Sequence, residues 1–523
     1  MDKPLPQGIS AQTFAAAVSE FKDAVGAEYV FTDDKAHLRS YRDAYSTLDD
    51  SNFAPSAAVA PKTVEQVQAV LAVASTHKIP VWTISTGKNF AYGGPAPRKA
   101  GYVVLDLKRM NRIIEVNEKH GYAVVEPGVS YQDLYDYLQA RGSKLWIDCA
   151  APAWGGIVGN TSDHGAGYTP YGDHLLMQCG MEVILADGTV VETGMGGVPN
   201  SKTNNLYKYG IGPWVDGLFT QSNFGVITKM GIWLMHEPPG YMPFMVTLPR
   251  EEDLELITDI MLPLKLNMVI ANGALTADLL WEASMSTTKR QYYTGTGPVP
   301  DSIRKKIASD LKLGMWNFYA ALYGPPPIMA NNWKIIEAAV MQIPGARIYL
   351  DEERKGDTGW DYRVKLMRGI PNMTEFSLLN WVGGGGHINF SPISAADGKD
   401  SMSQFHMIRE RAHEYNFDYI GEFLIGWRDQ HHIFMLMFDR MSDDEKARAH
   451  ELFGVLVEDA AKLGYGEYRT HLSFMDQIAD TYNYNDRALW RMHETLKDSL
   501  DPVGILSPGK MGIWPERMRD KQS

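Results

Sequence analysis

A single histidine follows four glycines in "NWVGGGGHINFSP", residues 380–392. Glycine weakens a strand and costs backbone entropy, so four in a row need a physical reason. The usual reason is that something large lies against the backbone, where a Cβ would collide with it. The imidazole of His387 would face such a group, although this stretch alone does not identify it. His387 is therefore the first candidate site residue, with a satisfied core histidine as the alternative.

Three further segments are rich in glycine and turn-forming residues: "STGKNFAYGG" (85–94), "GGIVGNTSDHGAGYTPYGDH" (155–174) and "TQSNFGVITKMGI" (220–232). The first has the composition of a loop whose backbone N–H groups wrap an anion. It matches neither GxGxxG nor the Walker A spacing. Three such loops within 230 residues suit an extended ligand such as a dinucleotide. Tight turns between strands are the alternative.

Helix and strand signals surround these loops. Thr63 and Gln66 have capping-box spacing, and the residues that follow predict one apolar helix face, made of Val64, Val67, Val70 and Leu71. Short apolar runs predict strands at "VWTIS", "YVVLDL" and "YAVVEPG", and "MEVILADGTVVETG" predicts a hairpin that turns at Asp187-Gly188. Helix and strand alternate without a regular βαβ count, which favours an α+β fold.

The pattern of predicted secondary structure changes near residue 240. "HEPPGYMPF" is a proline-rich junction, and amphipathic helices with a few strands follow it. Near residue 500, the segment "LDPVGILSPGKMGIWP" is rich in turn-forming residues, like the first part of the chain, and it is too short to fold alone. We therefore expect an N-terminal domain (1–240), an inserted cap (241–499) and a tail that returns to the first domain (500–523).

Composition excludes several classes of protein. The chain of 523 residues is 45% hydrophobic with a net charge of −13 and no basic block, so a nucleic-acid partner is not expected. Its two cysteines cannot build a disulfide framework. No signal core and no run of about 20 apolar residues is present, which predicts a cytoplasmic protein without a membrane span.

Seven segments in one order resemble the vanillyl-alcohol oxidase family of flavoproteins, above all its eugenol oxidase and 4-alkylphenol oxidase members: "STGKN…YGG", "VEPGV", "GNT…GYTPYGDH", "SNFGVITKMGI", "GGHINFSP", "GEYRTH" and "SPGKMGIWP". The resemblance implies an FAD-binding domain of the PCMH-type fold, an inserted α+β cap over the isoalloxazine ring, and FAD bonded covalently to His387. The other cofactor-binding residues that it implies are Ser85, Thr86, Gly87, Lys88, Asn89, Gly159, Asn160, Asn223, Gly225, Val226 and Lys510.

The same resemblance places Tyr92, Tyr468 and Arg469 around the oxygen of a phenolic substrate. A phenol with a pKa near 10 must ionise before its para carbon can release hydride. A permanently charged guanidinium and two phenolic donors would stabilise that phenolate. The expected product is a p-quinone methide, which adds water, loses a proton or, from an alcohol, collapses to an aldehyde.

One position departs from the family pattern. Ala151 stands where family members carry an aspartate that acts as the active-site base. Glu375, Glu422 and His431 match pocket residues of the p-cresol methylhydroxylase flavoprotein subunit, and two carboxyls in one pocket push their pKa values apart. A solvated Glu422 is the alternative. His431-His432 lacks further ligands at metal spacing, so no metal is expected.

Three functions remain open on the sequence. The first is a phenol oxidase that uses O₂ and releases H₂O₂, which the histidyl flavin motif and the overall similarity to eugenol oxidase favour. The second is a hydroxylase that adds water and passes electrons to a cytochrome-type acceptor, which the two glutamates and the missing aspartate favour. The third is a flavin-binding protein without catalysis. The small side chains of the "AAPA" turn leave space in the substrate pocket, which predicts a bulky, lignin-derived phenol as substrate, although the Asn389 side chain would fill part of that space. The resemblance also implies a homodimer.

Overall fold

The computed structural model describes residues 4–33 and 37–519. Residues 1–3 and 34–36 of the predicted N-terminal domain and residues 520–523 of the predicted tail lie outside these ranges. Among the described residues, no helix is long and apolar enough to cross a membrane.

The first part of the chain forms three small sheets with helices packed on them. A four-stranded sheet has the order β1-β2-β4-β3, a five-stranded antiparallel sheet has the order β5-β6-β10-β8-β9, and β7 pairs with β11. The strands are β1 (Val30–Phe31), β2 (Ala57–Val59), β3 (Val81–Ile84), β4 (Val103–Asp106), β5 (Ile113–Asn117), β6 (Tyr122–Val125), β7 (Leu145–Trp146), β8 (Gln178–Ile184), β9 (Val190–Glu192), β10 (Val226–Trp233) and β11 (Met235–His236). The helices are α1 (Ala11–Val25), α2 (Val64–His77), α3 (Tyr131–Ala140), α4 (Ile157–Ser162) and α5 (His174–Met177).

Local sequence explains these elements well. The Thr63 side chain accepts the backbone N–H of Gln66 and caps α2, which ends at Lys78 in the left-handed conformation. The predicted strands at "VWTIS", "YVVLDL" and "YAVVEPG" are confirmed as β3, β4 and β6. The predicted hairpin is confirmed as the antiparallel pair β8 and β9.

The second part is built on one antiparallel sheet of eight strands. Its order is β15-β12-β14-β13-β18-β19-β16, with β17 also paired to β19. The strands are β12 (Tyr241–Leu248), β13 (Ala274–Asp278), β14 (Trp316–Tyr323), β15 (Arg347–Leu350), β16 (Gly386–Phe390), β17 (Ile393–Ala395), β18 (Gly421–Ile425) and β19 (Asp429–Phe438). The helices are α6 (Asp253–Leu266), α7 (Leu279–Ser284), α8 (Lys289–Tyr292), α9 (Asp301–Leu311), α10 (Pro326–Val340), α11 (Asp351–Arg354), α12 (Thr358–Met367), α13 (Gly398–Glu414), α14 (Asp443–Lys462), α15 (Met475–Thr481) and α16 (Tyr484–Leu500).

The chain after α16 packs against the first part and ends with α17 (Glu516–Arg519). Leu506 forms a parallel bridge with Val81, so the tail extends the edge of the four-stranded sheet beside β3. The buried Lys497 ammonium donates to Asp501 and to the carbonyls of Asn223 and Leu506. These bonds fix the tail beside the loop that contains Asn223. The limits 1–240, 241–499 and 500–523 stay a prediction.

Candidate functional site

The eight-stranded sheet places its polar residues by simple alternation. Side chains on a strand point to opposite faces in turn. On β16, Ile388 and Phe390 enter the core beneath α13 and α14, so His387 and Asn389 point to the other face. On β18, Phe423 and Ile425 enter the same core, and Glu422 therefore shares the face of His387. That face borders a deep cavity shared with the first part of the chain.

This cavity brings together most of the predicted site residues. Its wall contains the following predicted residues: Ser85, Thr86, Gly87, Lys88, Asn89, Tyr92, Gly159, Asn160, Asn223, Gly225, Glu375, His387, Glu422, Tyr468, Arg469 and Lys510. Two other predicted residues lie elsewhere. The Val226 side chain is buried in the core of the first part, and the His431 ring lies behind Tyr468, 4.5 Å from it between ring centres.

The reason predicted for the four glycines is wrong. Gly383 and Gly384 have φ values of +77° and +85°, a conformation that glycine adopts most easily, because they form a turn. A Cβ on Gly385 would lie 2.5 Å from the Phe438 carbonyl oxygen, and one on Gly386 would lie 2.8 Å from Arg440. The glycines therefore serve the turn and the packing of neighbouring protein segments, and among the described residues none of them lines the cavity.

His387 is a buried, neutral imidazole. Its Nδ1 lies 2.8 Å from Oδ1 of Asn389, and its ring centre lies 5.2 Å from that of Tyr45. Burial lowers the pKa of His387 to about 4, although the bond to Asn389 opposes this shift. The ring therefore carries no charge at neutral pH and keeps one nitrogen lone pair.

Arg469 lines the same cavity and lies close to two tyrosine rings. Its guanidinium carbon is 5.2 Å from the Tyr92 ring centre and 5.4 Å from that of Tyr468. Nε donates to the carbonyl of Asp163 at 2.8 Å, while one Nη nitrogen is buried without a partner among the described residues. Burial, above all, raises the pKa of Tyr92, so this phenol stays protonated and can donate a hydrogen bond. The group is suited to an anionic oxygen.

A buried arginine holds Glu422 in place. Arg363, on α12, donates to Glu422 and to Glu282 at 2.9 Å each, and all three side chains are at most 2% exposed. Tyr319 donates to the second oxygen of Glu282. Burial raises the pKa of Glu422, and the bond to Arg363 opposes that shift. The alternative of a solvated Glu422 is therefore wrong, because the residue lies within a central strand.

Glu375 lies in the short 3₁₀ segment Thr374–Val382 and accepts a hydrogen bond from the Tyr362 hydroxyl at 2.8 Å. Burial raises the pKa of Glu375 to about 7, and the negative charge of Glu422 acts in the same direction. Glu422 is hydrogen-bonded to the Arg363 cation, whereas no cation is hydrogen-bonded to Glu375 in the part of the chain that the structure describes. Glu422 therefore gives up its proton before Glu375 does.

Replacing Glu375 with glutamine should change how stability depends on pH. Because the folded pKa is raised, the folded protein binds this proton more tightly than the unfolded chain does. That contribution is fully present below the ordinary pKa of 4.5 and is lost as the pH rises through about 7. The free energy of unfolding of E375Q relative to that of the wild type should therefore increase from pH 5 to pH 8, as measured by urea unfolding. E410Q, on the exposed face of α13, is the control. An equal difference at both pH values would contradict the assignment.

The cavity wall has no carboxylate at position 151, where the resemblance implies an aspartate that acts as the active-site base. Ala151 lines the cavity there with a methyl group, next to Ala150 and Pro152. Asp148 is engaged elsewhere, since it binds His174 at 2.6 Å and the backbone N–H of Thr169 at 2.8 Å. In the described part of the chain, no group of three or more His, Cys, Asp or Glu side chains is arranged to hold a metal ion.

Known proteins resemble the chain along nearly its whole length. Residues 55–194 match the FAD binding domain family, and residues 270–511 match the C-terminal domain of FAD linked oxidases. The flavoprotein subunit of 4-cresol dehydrogenase (hydroxylating) from Pseudomonas putida is 43% identical over 511 residues, 97% of each chain. This chain belongs to the vanillyl-alcohol oxidase family of PCMH-type flavoproteins.

Two solved structures share the fold of this flavoprotein. A 4-ethylphenol oxidase from Gulosibacter chungangensis has a TM-score of 0.96 and 40% identity, covering 98% of this chain and 100% of the other. A p-cresol methylhydroxylase with substrate bound has a TM-score of 0.96 and 42% identity, covering 98% and 99%. The predicted α+β fold is confirmed. The flavoprotein is an FAD-dependent oxidoreductase, which excludes the alternative of a binding protein without catalysis.

The cavity of this flavoprotein fits FAD. It extends from the loop at Ser85–Asn89 past α4 to His387, as a long dinucleotide requires. Asn223 Oδ1 is buried there without a partner among the described residues, and a polar atom left so is costly unless a ligand bonds it. The length of the cavity and the unpaired Asn223 oxygen therefore both fit FAD.

Sequence reasoning missed the residues that control the two glutamates of this flavoprotein. Arg363, Glu282 and Tyr362 are far in sequence from Glu422 and Glu375, so no spacing pattern connects them. One signal was present, because Glu282 is a lone acid in the apolar helix segment "LLWEASM". A charge in such a segment is rarely left without a partner.

Proposed function

We propose that this flavoprotein oxidises para-substituted phenols: 4-alkyl-, 4-allyl- or 4-hydroxymethyl-phenols. Hydride passes from the benzylic carbon of the substrate to FAD, with O₂ as the acceptor and H₂O₂ as a product. The observation that carries the proposal is the Arg469 guanidinium between Tyr92 and Tyr468, with an unpaired buried nitrogen in the cavity. Two relatives, a 4-cresol dehydrogenase and a 4-ethylphenol oxidase, are named for 4-substituted phenols, which supports the same substrate class.

Arg469 and the two tyrosines bind the phenol oxygen in this proposal. The guanidinium stays charged at every working pH and stabilises the phenolate, while the tyrosine hydroxyls donate hydrogen bonds to it. Ionisation of the phenol raises the electron density at its para carbon and so prepares the benzylic C–H bond. FAD, when bound, would accept the hydride, which carries the two electrons of the oxidation.

His387 holds FAD covalently in this proposal. The imidazole is neutral and buried, and it lies on the cavity face of β16, where it can bond the edge of the ring. A covalent bond prevents loss of the cofactor and withdraws electron density from it, which favours its reduction. Acid precipitation of the purified protein tests the bond, because a covalently held flavin stays in the pellet.

A second candidate reaction is addition of water to the quinone methide with a cytochrome-type acceptor. The pair Glu422 and Glu375 favours it, because the two carboxyls face the same cavity and burial raises the pKa of both. Glu422 accepts the proton that water loses as its oxygen bonds the benzylic carbon, and the electron pair moves to the ring oxygen, which becomes the phenolate beside Arg469. Protonated Glu375 can donate a hydrogen bond to the attacking water. Ala151 offers no carboxylate for this work. H₂O₂ release under air, compared with cytochrome reduction without air, distinguishes the two acceptors.

The product ratio of the E422Q variant tests the role of the carboxylate. With 4-ethylphenol, water addition gives an alcohol and loss of a side-chain proton gives 4-vinylphenol. E422Q should lower the ratio of alcohol to vinyl product about tenfold, because it lacks the base that activates water. The ratio is independent of the total rate, and H₂¹⁸O identifies the added oxygen. An unchanged ratio would exclude Glu422 as that base.

A series of para-substituted guaiacols tests the substrate size. The methyl group of Ala151 leaves space near the reacting end of the substrate, so we propose that bulky lignin-derived phenols are preferred. Rates of FAD reduction without air give the comparison directly. If small alkylphenols react fastest, the idea of an enlarged pocket is wrong.

A further inference from the structure

The hydrogen bond between His387 and Asn389 suggests which ring nitrogen bonds FAD. The two residues are two apart on β16, so their side chains leave the strand on the same face and lie side by side. Nδ1 of the imidazole is 2.8 Å from Oδ1 of Asn389. Both side chains are at least nine-tenths buried and border the cavity. Asn389 is the side chain that bonds this ring among the described residues.

We infer that Asn389 is the positioning residue for cofactor attachment: its Oδ1 accepts a hydrogen bond from Nδ1–H of His387 and so leaves the lone pair of Nε2 free to bond FAD. The inference rests on the covalent attachment proposed above. In a neutral imidazole one nitrogen carries the proton and the other carries the lone pair, and the bond at the first decides the tautomer. Burial keeps this ring neutral, so the tautomer decides which nitrogen is nucleophilic.

The reaction balances with O₂ as the oxidant. A bond forms between Nε2 and the 8α methyl carbon of the isoalloxazine, and that carbon loses a proton. The two electrons of the broken C–H bond stay on the ring until O₂ takes them, giving H₂O₂. The imidazole becomes cationic when Nε2 bonds carbon and later releases its Nδ1 proton to solvent. Asn389 Oδ1 stabilises that cation, because a hydrogen bond from a charged donor is stronger than one from a neutral donor.

Other groups close to His387 do not supply this acceptor. Tyr45 contacts the ring at a distance of 5.2 Å between ring centres, and burial raises the pKa of its phenol. Arg440 lies over the Tyr45 ring and is a donor only. Asn389 is therefore the residue to test.

Two substitutions separate hydrogen bonding from packing. N389L keeps the approximate shape of the side chain and removes the acceptor, while N389D keeps an acceptor and adds charge. Each protein is purified, incubated with FAD and sampled over time, and flavin fluorescence on a denaturing gel gives the rate of covalent attachment. Non-covalent FAD binding and the thermal midpoint, measured on the same samples, report whether each variant is folded.

We expect N389L to attach FAD about tenfold more slowly than the wild type, since one hydrogen bond is lost, and N389D to attach it at least as fast as the wild type. A folded N389L that attaches FAD at the wild-type rate overturns the inference. An N389D protein as slow as N389L overturns it as well. If the wild type itself holds FAD without a covalent bond, the attachment to His387 fails, which is a different result.

Discussion

Replacing Arg469 with methionine should lower kcat/KM for a para-substituted phenol about 10²- to 10³-fold. The guanidinium is buried between Tyr92 and Tyr468 and has a free donor in the cavity, so its charge acts on the phenol oxygen with little screening. Methionine keeps much of the volume and removes the charge. Without the cation the phenol must ionise at its own pKa near 10. The residual activity of R469M should therefore rise steeply towards pH 10, more steeply than that of the wild type.

Steady-state rates between pH 6 and pH 10 measure this effect. R487M is the matched control, because Arg487 forms an exposed ion pair with Asp480 that contributes little to the protein. FAD content and the thermal midpoint show whether R469M is folded, since Arg469 also bonds the carbonyl of Asp163. A folded, FAD-loaded R469M with wild-type kcat/KM would refute the phenolate site.

The largest effect on stability is expected for R363M, about 3–5 kcal/mol of unfolding free energy at neutral pH. The substitution leaves Glu282 and Glu422 buried without their shared cation. Burial already raises the pKa of Glu422, and loss of Arg363 raises it further. The folded variant then binds a proton that the unfolded chain releases. Its deficit should therefore be smaller at pH 5 than at pH 8.

Urea unfolding of R363M and the wild type at both pH values measures the deficit and its pH dependence. K306M, which removes an exposed ion pair with Asp310, should change stability by less than about 1 kcal/mol. The triple variant R363M/E282Q/E422Q removes all three charges and should recover much of the loss. A deficit independent of pH would mean that lost packing, and not the unpaired carboxyls, causes it.

Local sequence was sufficient where one segment determines its own structure. The α2 cap at Thr63 and the hairpin turn at Asp187-Gly188 follow from neighbouring residues, and so they were predictable. The seven ordered motifs also identified the fold, because they are spread over the chain. The glycine run was explained wrongly, because its cause is contact with Phe438 and Arg440, which no local pattern reveals.

The electrostatics of the site could not be predicted for the same reason. Glu422 lies 59 positions from Arg363 and 140 from Glu282, and only the folded sheet and the helices beside it bring the three together. The alternation on β16 was available from "GGHINFSP", yet a bond between His387 and Asn389 also requires both side chains to be buried on the same side of the sheet. Burial of that kind depends on elements that are distant in sequence.

The bridge between Leu506 and Val81 has a consequence for biosynthesis. At roughly 5–20 residues per second, translation reaches Leu506 about 20–80 s after β3 has been made. Throughout this interval the outer edge of β3 lacks the neighbour that the tail provides, and the carbonyls of Ser507 and Ile513 that position Asn223 do not yet exist. A nascent chain therefore cannot close the wall of its dinucleotide cavity, and capture of the coenzyme must wait until the carboxyl end has been translated.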